Sequence, residues 1–378
     1  MVEKMDFGKL KLTEKNIIPE TENITPDYYC TWQTQLYATS DGKPRKQRTV
    51  ICEKSLFNKE KPYGWAYFYE NARKDLFIVM DDSWDVPVED DPKYYGSLVL
   101  NKEKFPESTS GTKENYKALK NLSLRVKELG WKGLGGWVCA QESEKFLNGR
   151  TQEEYWKEKL IDAAKSDFAY WKVDWGKNAR EISFRRMLTE MGKVYAPNLI
   201  IEHAMLKDII PVSDVYRTYD VPAIMSIPMT MEKIREYSDC GKTDEGYRGL
   251  INCEDEPYIA AAGGFSMGIM RHPYSGSLPD GREDMSFPRV HRNIKTKLTE
   301  VIRAARWHRA APAFGIDSNE FFIDKVQLSD TWKFDRHEEE IEAWWLQNPM
   351  VEPYLDDSGS VLEKKGRRVF PAEQSCLK

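Results

Sequence analysis

The stretch FAYWKVDWGK, residues 168–177, is an apolar, aromatic run that ends by presenting Lys172 and Asp174, two residues apart. Side chains at i and i+2 of a strand face the same side, so both charges point one way, and charged residues are seldom buried without partners. As a structural ion pair they would fill a closed interior. At the mouth of a barrel they would serve chemistry.

Working outward, similar short runs recur. YYCTWQTQ (28–35), DLFIVMDD (75–82) and KGLGGWVC (132–139) precede it; NLIIEHAM (198–205), SDVYRTYD (213–220), GYRGLINC (246–253) and GFSMGIMR (264–271) follow. Helical i, i+3, i+4 patterns lie between them. Tyr116, Leu119, Leu122, Val126 and Leu129 share one face. Ile182, Met187, Leu188 and Met191 share another, and Val290, Ile294, Leu298, Val301, Ile302 and Ala305 a third. Thr151 and Glu154 make a capping-box signature ahead of Tyr155, Trp156, Leu160 and Ile161. Eight strand-then-helix units with near-continuous apolar strands predict an α/β fold, a (β/α)8 TIM barrel over residues 28–312. Residues 1–27 read as an N-terminal arm. Residues 313–378 read as a small C-terminal segment with strand-like patterns in FFIDKVQLSDTWKF.

Composition narrows the function. The 378 residues are 31% charged with a formal net charge of −5 and no basic stripe, which argues against nucleic acid or an anionic membrane as partner. Six scattered cysteines include no C-x-x-C pair, so neither a zinc ribbon nor a disulfide framework is indicated. No metal-ligand spacing and no cofactor motif is present; GLGG (133–136) lacks the phosphate-cradle pattern and reads as close packing. The N-terminus has no apolar signal-peptide core, so the chain as written reads as cytoplasmic, the alternative being export with a leader already removed. Twelve Trp and nineteen Tyr are many for so polar a chain. Most belong in a core; a surplus suits a cleft that stacks rings on sugars.

Catalysis in such barrels sits at the C-terminal strand ends. Those ends supply Asp81, Asp82 and Trp84 (second strand), Trp137 and Gln141 (third), Lys172, Asp174 and Trp175 (fourth), and Glu202 and His203 (fifth). The remaining ends give Arg217 and Asp220, then Asn252, Glu254 and Asp255, then Arg271 and His272. Bland readings stand beside these: MDDSW as a plain turn capping a helix, Arg217 and Asp220 as a surface pair, the histidines as hydrogen-bonding wall residues. Separated carboxylates among aromatic platforms suit glycoside hydrolysis.

FIVMDDSWD, GSLVLNKEKFP, ALKNLSLRVKELGWKGLGGWV and YWKVDWG, taken in order, resemble the melibiase-type α-galactosidases of glycoside hydrolase families 27 and 36, over roughly residues 60–220. The resemblance implies a retaining (β/α)8 glycosidase with Asp174 as nucleophile, Asp220 as acid/base, and Asp81, Asp82 and Lys172 gripping sugar hydroxyls. Trp84 would wall the pocket, Arg217 would precede the acid/base, and Glu202 would lie near the 2-position. RTYD sets two residues between Arg217 and Asp220 where the family usually has three, and IEHAM lacks the family's tryptophan at the fifth strand end. The expectation is hydrolysis of terminal α-galactosyl groups from a small oligosaccharide or glycoconjugate, without a cofactor. Trp137, Trp175, His203, Arg271 and His272 complete the expected substrate-binding set. Sibling readings are raffinose-synthase-type transfer, β-L-arabinopyranosidase and α-N-acetylgalactosaminidase. Readings of other classes are a Schiff-base aldolase using Lys172 and a non-catalytic carbohydrate-binding barrel.

Overall fold

The computed structural model describes residues 21–37, 49–60, 63–218, 233–234, 236–237, 249–270 and 294–314. Asp220, Arg271 and His272 lie outside these, as does nearly all of the C-terminal segment.

All eight expected strands form. They are β1 (Tyr28–Cys30), β2 (Phe77–Met80), β3 (Gly133–Val138), β4 (Phe168–Val173), β5 (Ile200–His203), β6 (Val215–Arg217), β7 (Leu250–Asn252) and β8 (Gly268–Ile269). Every pairing is parallel, and the order β7-β6-β5-β4-β3-β2-β1-β8 runs as a TIM barrel requires. A parallel bridge between Asn252 and Ser266, flanked by Cys253 N–H donating to Ser266 O at 2.8 Å, closes the ring. The chain is a (β/α)8 barrel.

Helices α1 (Trp32–Tyr37), α2 (Glu53–Phe57), α3 (Pro106–Thr109), α4 (Asn115–Glu128), α5 (Gln152–Ser166), α6 (Ile182–Tyr195), α7 (Pro257–Gly263) and α8 (Ile294–Ala310) follow in chain order. A 3₁₀ segment, Lys207–Val212, makes the short connection after β5. The capping box forms as read: Thr151 Oγ1 accepts from Glu154 N–H while Glu154 Oε2 accepts from Thr151 N–H. α4 buries Leu119, Leu122 and Val126 against the sheet; full burial of one such leucine contributes about 2 kcal/mol. α6 keeps its predicted stripe in part, with Leu188 buried and Met187 and Met191 packed against the core. Its buried face runs through Phe184, Arg185, Leu188 and Thr189, and Ile182 is exposed.

Alternation along the strands separates two cores. Tyr28, Cys30, Phe77, Val79 and Tyr170 fill the barrel interior, whereas Ile78, Met80, Leu134, Trp171 and Ile201 pack outward against the helices. The GLGG of β3 serves close packing: a Cβ on Gly135 would stand 2.7 Å from the Cβ of Tyr170, so glycine is what lets that ring enter the interior. On the side of the N-terminal strand ends, α8 is tied down by His308 to Asp27 (2.6 Å) and by Arg309 to both carboxylate oxygens of Asp75 (2.7 and 2.6 Å).

Candidate active site

The interior faces of β1, β2, β4, β5, β6 and β7 carry one continuous polar cluster at their C-terminal ends. Lys172 donates to Asp81 Oδ2 at 2.7 Å and lies 3.6 Å from Asp174 Oδ2. Cys30 Sγ–H donates to the same Asp81 oxygen at 2.9 Å. Burial pulls the Lys172 ammonium down, but Asp81, Cys30 and Asp174 together override it and hold the ammonium well above its usual range. A Schiff-base lysine needs a neutral amine, so the aldolase reading finds no support here.

Asp174 ends β4 and is 8% exposed. Its Oδ2 accepts from Trp137 Nε1 at 3.2 Å and faces Arg217 Nη2 at 3.2 Å, while Oδ1 accepts no hydrogen bond among the described residues. Burial pushes this carboxyl up. Arg217, Lys172 and the Trp137 hydrogen bond together override that and bring it below the usual carboxylate range. Its backbone is fixed from behind, because the buried Arg185 of α6 donates to the carbonyls of Asp174 (2.9 Å), Val173 (3.3 Å) and Ala179 (2.7 Å). Arg185 was not evident from the sequence; a cation on a helix stripe reads there as an exposed residue.

Arg217 is the hub. Besides Asp174, its Nε lies 3.3 Å from Glu202 and its Nη1 3.8 Å from Glu254. Glu202 lies beneath the mouth, wholly buried. It accepts from Tyr28 (3.1 Å), Tyr170 (2.7 Å) and Asn252 (2.7 Å). With three hydrogen bonds and the Arg217 guanidinium around its two oxygens, it is engaged within the protein and seats Arg217. Tyr28, Cys30 and Tyr170 complete this layer; the signal for Tyr170 was its position two residues before Lys172 on the same face.

Other expected residues fall differently. Asp82 is buried in the turn, with Oδ1 accepting from Ser83 at 2.8 Å. Trp175 is half-buried on the rim, its ring 5.1 Å from Trp137 and 5.2 Å from Tyr95. Two of the expected residues lie away from the mouth. Trp84 does not wall the pocket: it is 0% exposed in the outer core, against Phe168 at 5.7 Å, with its indole N–H donated to Trp137 O. His203 neighbours Glu202 on β5, and alternation turns it outward. There Nδ1 accepts from Arg185 at 3.1 Å and Nε2 meets Thr189 at 2.7 Å. Burial and Arg185 hold this imidazole neutral, well below its ordinary value. No helix among the described residues is long and apolar enough to cross a membrane.

Neither a family model nor a curated protein matches the sequence. Among solved structures, an α-galactosidase candidate from Bacteroides fragilis NCTC 9343 gives a TM-score of 0.45 at 12% identity, over 77% of this chain and 61% of its own. A family 27 β-L-arabinopyranosidase from Geobacillus stearothermophilus, in complex with arabinose, gives 0.43 at 12%, over 75% and 77%. A family 36 α-galactosidase from the same organism gives 0.43 at 12%, over 78% and 43%. The chain thus spans less than two thirds of two of these proteins, at 61% and 43%. The likeness is to barrels of the family 27 and 36 type; at this level it is one of architecture and carries no argument about activity.

Proposed function

We propose that the protein is a retaining exo-glycosidase that removes terminal α-galactosyl groups, with Asp174 as nucleophile and Asp220 as acid/base. The observation that supports this reading is the asymmetry of the Asp174 carboxylate. One oxygen is engaged by Trp137 and Arg217 and the other takes no donor among the described residues, in a carboxyl kept ionised despite its burial.

In this reading the Asp174 Oδ1 lone pair attacks the anomeric carbon as the bond to the aglycone oxygen breaks, and Asp220 gives its proton to that leaving oxygen. Water then opens the glycosyl ester from the same face the aglycone left, returning its proton to Asp220 and the carboxylate to Asp174. Lys172, with Asp81 and Asp82, would hold hydroxyls on the far side of the sugar, and Trp175 beside Trp137 offers an aromatic rim. Arg271 and His272 remain in the proposed substrate-binding set on the strength of the sequence.

The test is turnover of a panel of aryl α- and β-glycosides by the wild type and by Asp174→Ala, the variant repeated with azide. Loss of turnover with recovery of a β-glycosyl azide supports the assignment. Wild-type protein that binds galactose and cleaves nothing in the panel overturns it.

A further inference from the structure

The segment GSLVLNKEKFP, residues 96–106, belongs to no part of the site as described, yet the fold carries it back to the mouth. Lys104, just ahead of α3, is only 3% exposed. Its backbone is anchored on both sides: the N–H donates to Asn101 Oδ1 at 3.0 Å and the carbonyl accepts from Glu53 N–H at 2.9 Å. Its ammonium donates to the carbonyl oxygen of Ser83 at 2.8 Å. Ser83 is the apex of the Asp81-Asp82-Ser83-Trp84 turn and holds φ of +71°, a conformation that costs a residue with a side chain free energy and persists only when its surroundings impose it. The Ser83 hydroxyl donates to Asp82 Oδ1, and the Trp84 indole fastens the far side of the turn to Trp137 O at 2.9 Å. One buried cation therefore grips the strained peptide between the carboxylates and their tryptophan anchor.

We propose that Lys104 is a positioning residue for Asp81 and Asp82, acting through the Ser83 carbonyl to set the turn that presents them to the sugar. The substrate half of this rests on the glycosidase reading above; the positioning half does not. The groups facing the ammonium are Asp82 and Asp85 from the turn itself, Asp90 from the loop beyond it, and Cys52 ahead of α2. Burial lowers the ammonium more than those groups raise it, bringing it to about 8, so mildly alkaline solution weakens the grip.

The experiment follows the Trp84 indole N–H resonance, assigned with Trp84→Phe, between roughly pH 6.5 and 9.5 in the wild type, Lys104→Arg and Lys104→Met. Galactose binding and aryl-glycoside turnover are measured on the same samples. In the wild type the resonance should shift with a midpoint near 8. Lys104→Arg should remove that titration and keep galactose affinity within about threefold, whereas Lys104→Met should displace the resonance at every pH and weaken galactose by about tenfold, with KM rising more than kcat falls. A Lys104→Met protein with the wild-type resonance and affinity overturns the proposal, as does an identical titration in wild type and Lys104→Arg. If no variant binds any sugar, the glycosidase reading fails, and the resonance alone decides whether Lys104 sets the turn.

Discussion

The guanidinium of Arg217 reaches from β6 to within 3.2 Å of Asp174 at the end of β4, with both side chains almost wholly removed from water. Taking charges out of water is costly unless they are paired with good geometry. Here Arg217 also meets Glu202 and Glu254, and Lys172 meets Asp81, so cations and carboxylates alternate across the mouth. The arrangement keeps Asp174 ionised where isolated burial would protonate it.

Trp137→Phe removes the one hydrogen bond that reaches Asp174 Oδ2 from β3. That bond favours the ionised carboxyl. In the proposed mechanism turnover requires the anion and is lost as pH falls through the lowered folded value, so the acid limb of kcat/KM should move to higher pH, with kcat/KM down by about tenfold at neutral pH. An unmoved limb would remove Trp137 from the account of Asp174.

Glu202→Ala should be far more costly to the fold than a typical substitution. It withdraws an acceptor from Tyr28, Tyr170 and Asn252 and a counter-ion from Arg217, a loss of about 3–5 kcal/mol, readable as a lowered urea midpoint. A loss below about 1 kcal/mol, the scale of an exposed pair, would mean that Glu202 is available to substrate after all.

His308 supplies a pH signature. Burial pulls its imidazolium down, but Asp27 and the hydrogen bond between them more than reverse this, leaving the folded value above the ordinary 6.5. A group raised on folding stabilises fully below its unfolded value and ceases to do so as pH rises through the folded one. The urea midpoint of the wild type should therefore exceed that of Asp27→Asn most at pH 6 and below, and the gap should narrow steadily above pH 7. A gap of constant size would place the worth of Asp27 in its other contacts, with Asn23 and Met267.

Gly135→Ala should cost about 1–3 kcal/mol by overpacking, since the new methyl meets the Tyr170 Cβ at 2.7 Å and the Tyr170 carbonyl oxygen at 2.8 Å. Gly149→Ala is the comparison: its Cβ meets nothing within 4 Å, and only the φ of +73° opposes it, worth roughly 1 kcal/mol. Equal midpoints for the two variants would remove close packing as the reason for glycine on β3.

The strands were legible because their signal is local: a short apolar run bounded by turns reads the same in sequence and in space. Glu202 and His203 mark the limit of that signal. They were grouped as one strand end, yet a period of two sends neighbours to opposite faces, and only the paired register Lys172–Glu202 identifies the inward one. Trp84 lies past the strand, where alternation gives no guidance and the left-handed Ser83 turns the chain outward. Nothing local could reveal the Asp27–His308 or Asp75–Arg309 pairs, whose members are 281 and 234 residues apart. Arg185 and Lys104 were missed for one reason: a cation in a helix or loop is normally solvated, and only packing shows which carbonyl it serves.

The ring of strands has a consequence for how the molecule is made. Tyr28 and Tyr29 on β1 pair with Gly268 and Ile269 on β8, and Asp27 binds the Met267 amide across 240 residues of sequence. The barrel's first strand must therefore wait for its eighth to be synthesised before its second edge is paired. Contacts this distant form slowly, and incomplete sheets expose unpaired edges in the meantime. Production of the protein should depend on chaperone capacity, and a chain that stops short of residue 270 should be a substrate for proteolysis.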